Sequence, residues 1–206
     1  MRKKKLVNKI IASLKDQGFS VNGHIVPSIL NKESYKLVQS HSKREQIQLQ
    51  KPFLIDNFDT IRKYSINGNQ IDPSQIKLEL RLVNDGTIEN IIYRWWNLAW
   101  WSVPYQRAYG RQMRFLLWDI THNAPFGLIG LQSPILKMAV RDKYLKIPSD
   151  QLDTIINKSM QAQRLGALPP YNRLIGGKMA ALSLTSNEMR RFYLKTYYMW
   201  KVCRIM

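Results

Sequence analysis

The sequence predicts an α/β (α+β) protein: an N-terminal helical region over residues 1–70, then a mixed sheet with flanking helices over 71–206. Three observations predict it. Apolar residues recur at helical spacing near the N-terminus. Strict two-residue alternation follows at Ile76-Lys77-Leu78-Glu79-Leu80-Arg81-Leu82-Val83. Further on, an apolar run from Leu165 passes through Pro169-Pro170 into Gly176-Gly177-Lys178 and then Met179-Ala180-Ala181-Leu182, which reads as strand, tight loop and helix start.

In chain order, residues 2–17 place Leu6, Ile10, Ile11 and Leu14 on one helical face with lysines opposite, and Gly18 ends the pattern. Packing that apolar stripe into the domain is the plainer expectation; a basic amphipathic helix also suits a membrane surface or DNA. Residues 29–48 and 52–64, separated by Pro52, read as two further helices. The alternating strand ends at the Asn84-Asp85-Gly86 turn. Residues 114–131 read as a hairpin turning around Thr121-His122-Asn123-Ala124-Pro125. A short basic segment at 134–148 includes Arg141-Asp142, adjacent charges expected to make separate structural pairings. Thr185-Ser186-Asn187-Glu188 fits a capping box opening a last helix from Met189 to about Tyr197.

Charge narrows the function classes. Lys plus Arg number 32 against 14 acids, a net charge of +18 over 206 residues. That excess favours contact with nucleic acid or another polyanion. Between residues 90 and 118 stand Trp95, Trp96, Trp100 and Trp101 with Arg94, Arg107, Arg111 and Arg114 and no acid. Aromatics interleaved with arginines can stack bases while neutralising phosphates. The tryptophans read rather as one buried helix face, whereas Arg107, Arg111 and Arg114, with the Lys3-Lys4-Lys5 cluster, are the candidate nucleic-acid contacts.

Cys203 alone gives neither a disulfide nor a multi-thiolate zinc site, and a reducing, cytoplasmic setting is expected. His24, His41 and His122 lack ligand spacing and read as ordinary surface or loop histidines, so no metal is expected. Arg2-Lys3-Lys4-Lys5 precedes an apolar patch, but Lys9 and Lys15 interrupt it and no small-residue cleavage site follows. No run approaches the roughly 18 apolar residues of a spanning helix, so no membrane partner is expected.

The double glycine offers a second function class. A helix N-terminus leaves backbone N–H groups unpaired and carries partial positive charge, so a glycine-rich approach can cradle a phosphate; it can equally serve a tight turn or close helix packing. Walker spacing is absent: Gly166 lies too far upstream, and Met179 stands where a magnesium-binding hydroxyl belongs.

Trp101-Ser102-Val103-Pro104, Tyr109-Gly110-Arg111, Arg114-Phe115-Leu116, Arg141-Asp142 and the run from Gly166-Ala167-Leu168-Pro169-Pro170-Tyr171-Asn172 to Gly176-Gly177-Lys178 resemble the Druantia anti-phage system protein DruA family. The resemblance implies a component of a bacterial defence system working beside other proteins of its cluster. It also implies a longer protein with further strands, which this chain, ending in Trp200-Lys201-Val202-Cys203-Arg204-Ile205-Met206, is expected to lack. The order of hairpin, short helix, strand, Pro-containing loop, Gly-rich turn and helix is similar at fold level to GCN5-related N-acetyltransferases. That similarity implies an acetyltransferase-like sheet and a coenzyme A pyrophosphate cradle at Asn172, Arg173, Gly176, Gly177 and Lys178. Lys178 stands where their pattern has a small residue.

Two functions follow as expectations: a defence component engaging nucleic acid through its basic surface, or an acyl-coenzyme A or nucleotide-dependent transferase. A scaffold that pairs with partner proteins through a sheet edge is a third.

Overall fold

A computed structural model describes residues 2–27, 31–101, 110–174 and 176–198. Arg107, Ser102-Val103-Pro104, Tyr109, Ile175 and the Trp200–Met206 tail with Cys203 lie outside the described residues. The described residues form two compact units, 2–56 with 98–101 and 57–97 with 110–198.

The first unit opens with α1 (Arg2–Asp16). Its apolar stripe is only partly covered: Leu6, Val7 and Ile10 are exposed, while Ile11 and Leu14 are half-buried. α1 lies against β1 (Phe19–Asn22), which pairs antiparallel with β2 (His24–Pro27) around Gly23. Gly23 has φ +77, a left-handed conformation that glycine adopts without steric cost. The sequence reading missed this hairpin. α2 (Lys32–Leu49) and α3 (Lys51–Asp56) follow. Pro52 sits in the first turn of α3, where its missing N–H costs nothing, so the break falls at Gln50 and again at Asn57.

The second unit holds α4 (Phe58–Lys63), β3 (Leu78–Leu82), α5 (Ile88–Ala99) as far as Asn97, β4 (Gln112–Asp119), β5 (Ala124–Gln132), α6 (Ala139–Tyr144), α7 (Leu152–Asn157), β6 (Gln161–Ala167), α8 (Gly176–Ser183) and α9 (Asn187–Tyr197). Helices and sheet occur together, as the sequence predicts. The sheet has the order β3-β4-β5-β6, antiparallel throughout the described strands.

Alternation along β4 gives the sheet two faces. Met113, Phe115 and Leu117 face one side, where Phe115 meets Phe192 of α9 at 5.4 Å between ring centroids, and Leu117 joins Phe126, Ala167, Tyr171 and Ala180 of α8 in one cluster. Trp118 belongs to the other face, where Arg81 lies 4.5 Å from its ring and Tyr64 meets it edge-on at 5.4 Å. Tyr93 of α5 covers that same face at Gly130, where an added Cβ would come within 2.5 Å of the phenol oxygen. The helix's buried residues are Ile92, Tyr93, Asn97 and Leu98. Trp95 and Trp96 are only half-buried, and Trp100 and Trp101 stand past its end, so the tryptophans are not its buried face.

The last helix begins at Asn187, two residues before the expected Met189. The Ser186 hydroxyl accepts from Met189 N–H at 3.2 Å, which makes Ser186 the N-cap and worth about 1 kcal/mol to the helix.

Candidate functional site

The junction between β6 and α8 is built on a buried carboxylate. Asp119 closes β4 with no solvent exposure. Its Oδ1 accepts the backbone N–H groups of Thr121 (3.1 Å), His122 (3.4 Å) and Lys77 (3.4 Å), and its Oδ2 accepts the Tyr171 hydroxyl at 2.9 Å. His122 Nδ1 lies 2.6 Å from the same Oδ2, while His122 Nε2 faces Asp72 N–H at 3.3 Å. Nε2 thus faces a backbone donor and Nδ1 the carboxylate, so the ring bridges the Asp72 backbone and Asp119. His122 is therefore a half-buried linker in the hairpin turn. Burial, reinforced by the neighbouring carboxylate, holds the Tyr171 phenol well above its ordinary value and so neutral.

Tyr171 in turn fixes where α8 starts. A Cβ on Gly176 would lie 2.5 Å from Tyr171 O, 2.7 Å from Ala167 Cβ and 3.1 Å from Phe126 Cζ, so only glycine lets the helix approach the sheet this closely. Gly177 differs: it is exposed, and a Cβ there would meet nothing within 4 Å. Lys178, Met179 and Leu182 line one side of a groove of ≈ 540 Å³ closed by Ile76, Leu78 and Phe126. Of the five cradle candidates, Lys178 alone lines this groove, Gly176 serves packing, and Asn172 and Arg173 are exposed on the turn Tyr171–Arg173.

The basic candidates separate in the same way. Lys3, Lys4 and Lys5 are exposed on α1. Arg111 is absorbed by the fold: its guanidinium donates to the carbonyls of Asn157, Ile156 (3.2 Å) and Ser159 (3.3 Å) and to the Tyr193 hydroxyl (3.0 Å). Those carbonyls belong to the C-terminal end of α7 and the residues beyond it, where a helix runs out of intrahelical donors; Ile156 O also accepts Ser159 N–H at 3.1 Å. Arg114 donates to Asp85 Oδ1 at 2.7 Å and Asn90 Oδ1 at 3.2 Å, tying β4 to the turn before α5. Arg107 lies outside the described residues.

Arg141 and Asp142 pair with each other rather than separately. Arg141 Nε meets Asp142 Oδ1 at 2.8 Å and its other nitrogens reach Ile135 O and Leu136 O, while Asp142 Oδ2 accepts Met138 N–H at 3.1 Å. Partial desolvation would raise the Asp142 carboxyl, but the bonds from Arg141 and Met138 hold it below its ordinary range. The pair clasps its own segment closed.

Among the described residues no group of three His, Cys, Asp or Glu could hold a metal ion, and no helix is long and apolar enough to cross a membrane. The class these features define is a strongly basic α/β protein whose glycine-rich strand-to-helix junction is locked by a buried Asp–His–Tyr network. The family model for Druantia protein DruA matches residues 29–203. A Druantia protein DruA of Escherichia coli (strain UMEA 4076-1) is 31% identical over 199 residues, covering 96% of this chain and 49% of that protein. The chain belongs to the DruA family, and it spans about half the length of the curated relative it matches. No solved structure matches it.

Proposed function

We propose that this chain works in bacterial defence against phage, in the cytoplasm beside other proteins of its cluster, and that it engages nucleic acid through a basic surface. Family membership supports the defence role. The observation carrying the nucleic-acid reading is charge: +18 overall, with Lys3, Lys4 and Lys5 exposed and without an ion pair among the described residues. Glu79, Asp85 and Asp142 are paired with Arg81, Arg114 and Arg141, so these three acids offset arginines rather than the three lysines. Contacts of this kind neutralise phosphates and read no sequence. The test is the affinity for labelled duplex and single-stranded DNA and RNA across a salt series. Log affinity is expected to fall steeply with log salt, by about 0.9 per duplex phosphate neutralised. A flat dependence would remove the reading.

A second reading is favoured by the open space over Gly177 beside the groove lined by Lys178. An apolar groove with one cation at a helix start suits the acyl and phosphate parts of acyl-coenzyme A or a nucleotide. A thermal melt raised by acetyl-coenzyme A would support it, since a ligand that binds only the folded chain stabilises it. Binding that survives a bulkier residue at Gly177 would count against it.

A further inference from the structure

β6 is the last strand of the described sheet; a bulge at Gln163 interrupts its ladder, and beyond the bulge its outer edge is regular from Arg164 to Ala167. Its residues Gln161–Ala167 include no lysine and no proline, and its one charge, Arg164, is buried. The opposite edge, β3, carries Glu79 and Arg81 and is preceded by Pro73 and Lys77. The polarity of the β6 ladder can be read from Leu168, whose N–H points inward to Phe126 O at 2.8 Å. Alternation then sends the N–H and C=O of Leu165, which lies opposite Ile129, away from β5.

Next to this edge, on the face covered by α9, lies a groove of ≈ 510 Å³. Met160 and Ala162 form its sheet side, Leu184 and Leu194 its helix side, and Lys158 and Arg190 are its charged residues among those described. Both cations are exposed, and no acid lines the groove.

We infer that the β6 edge and this groove bind an extended segment of an acidic partner protein, which adds a strand beside β6. Alternate apolar side chains of the segment enter the groove, and its carboxylates meet Lys158 and Arg190. Backbone pairing gives affinity and the groove gives specificity in this mode of recognition. A second copy of this chain is a poor occupant, because it would bring another Lys158 and Arg190 and another +18 of charge to the same place. The inference does not rest on nucleic-acid binding, and variants of Lys3, Lys4 and Lys5 leave it untouched.

The test uses the full chain and fluorescein-labelled peptides of about nine residues, a strand length. One alternates valine and glutamate, the second is the same peptide fully N-methylated, and the third alternates valine and lysine. Fluorescence anisotropy is expected to show the first binding at least about tenfold tighter than its N-methylated twin, which keeps the charge and loses the donors. The surface double variant Lys158→Glu/Arg190→Glu is expected to lose about tenfold for the glutamate peptide and gain for the lysine peptide. Equal affinity for the first two peptides would show adhesion by charge alone and overturn the proposal. So would undiminished binding by the double variant, or a sedimenting dimer that the glutamate peptide fails to dissociate, which would give the edge to a second copy.

Discussion

Asp119 is a fully buried carboxylate to which no arginine or lysine is bonded among the described residues; three backbone N–H groups, His122 and the Tyr171 phenol satisfy it instead. Deleting one partner leaves a buried acceptor short. Tyr171→Phe is expected to cost about 1–3 kcal/mol at neutral pH. The pH dependence follows from the raised phenol. A group whose folded pKa lies above its unfolded value of 10.0 contributes stability that is fully present below that value and is lost as pH rises through the folded one. Urea denaturation from neutral to alkaline pH should therefore show the gap between wild type and Tyr171→Phe constant up to about pH 10 and shrinking above it. A gap independent of pH would mean the phenol does not titrate against the fold. The adjacent glycines give a second residue-scale contrast. Gly176→Ala forces a methyl onto Tyr171 O and Ala167, and overpacking of this kind costs about 1–3 kcal/mol. Gly177→Ala meets open space, so its effect should run from neutral to a gain of up to about 1 kcal/mol. Thermal melts of the two variants check both signs.

At the scale of elements, Arg111 behaves as a capping group for α7. Its planar fork reaches several carbonyls at once, which one ammonium cannot reproduce. Arg111→Ala and Arg111→Lys should both speed amide exchange in Leu152–Asn157 while leaving β4 and β5 protected; rescue by lysine would sink the capping account. Elements built from local signals were legible in the sequence. The alternation at 76–83 gave β3, the turn residues around His122 gave the β4–β5 hairpin, and Thr185 to Glu188 located the start of α9 to within two residues. The hairpin at Phe19–Pro27 carried a local signal too, Asn22-Gly23 between short β-rich flanks, and could have been found. Other features had no local signal. Tyr171 meets Asp119 across 52 residues, and Arg111 meets Asn157 across 46, so neither the Asp–His–Tyr network nor the fate of the arginine can be read from spacing. The tryptophans misled because four-residue spacing sets a common helical face without saying that the face is turned inward.

For the whole molecule the decisive quantity is which positive charges remain available to a polyanion. Net charge counts every lysine and arginine alike, yet a guanidinium already donating to carbonyls or a carboxylate must give up those bonds before it can meet a phosphate. Lys3, Lys4 and Lys5 are exposed along one turn of α1, where each can release a counterion on binding. Arg114 is bonded to Asp85 and Asn90, and Arg111 to the end of α7. Under the nucleic-acid reading, replacing the three lysines by glutamate should lower the magnitude of the log affinity against log salt slope by about 3, close to 0.9 per lost duplex phosphate contact. Arg111→Ala should leave the slope unchanged even as it lowers stability, and Arg114→Ala should change it by less than one contact. Filter binding or anisotropy on a mixed-sequence duplex, run below each variant's melting temperature, measures all three slopes. A slope that falls for Arg111→Ala and holds for the lysine variant would move the contact surface from α1 to the sheet.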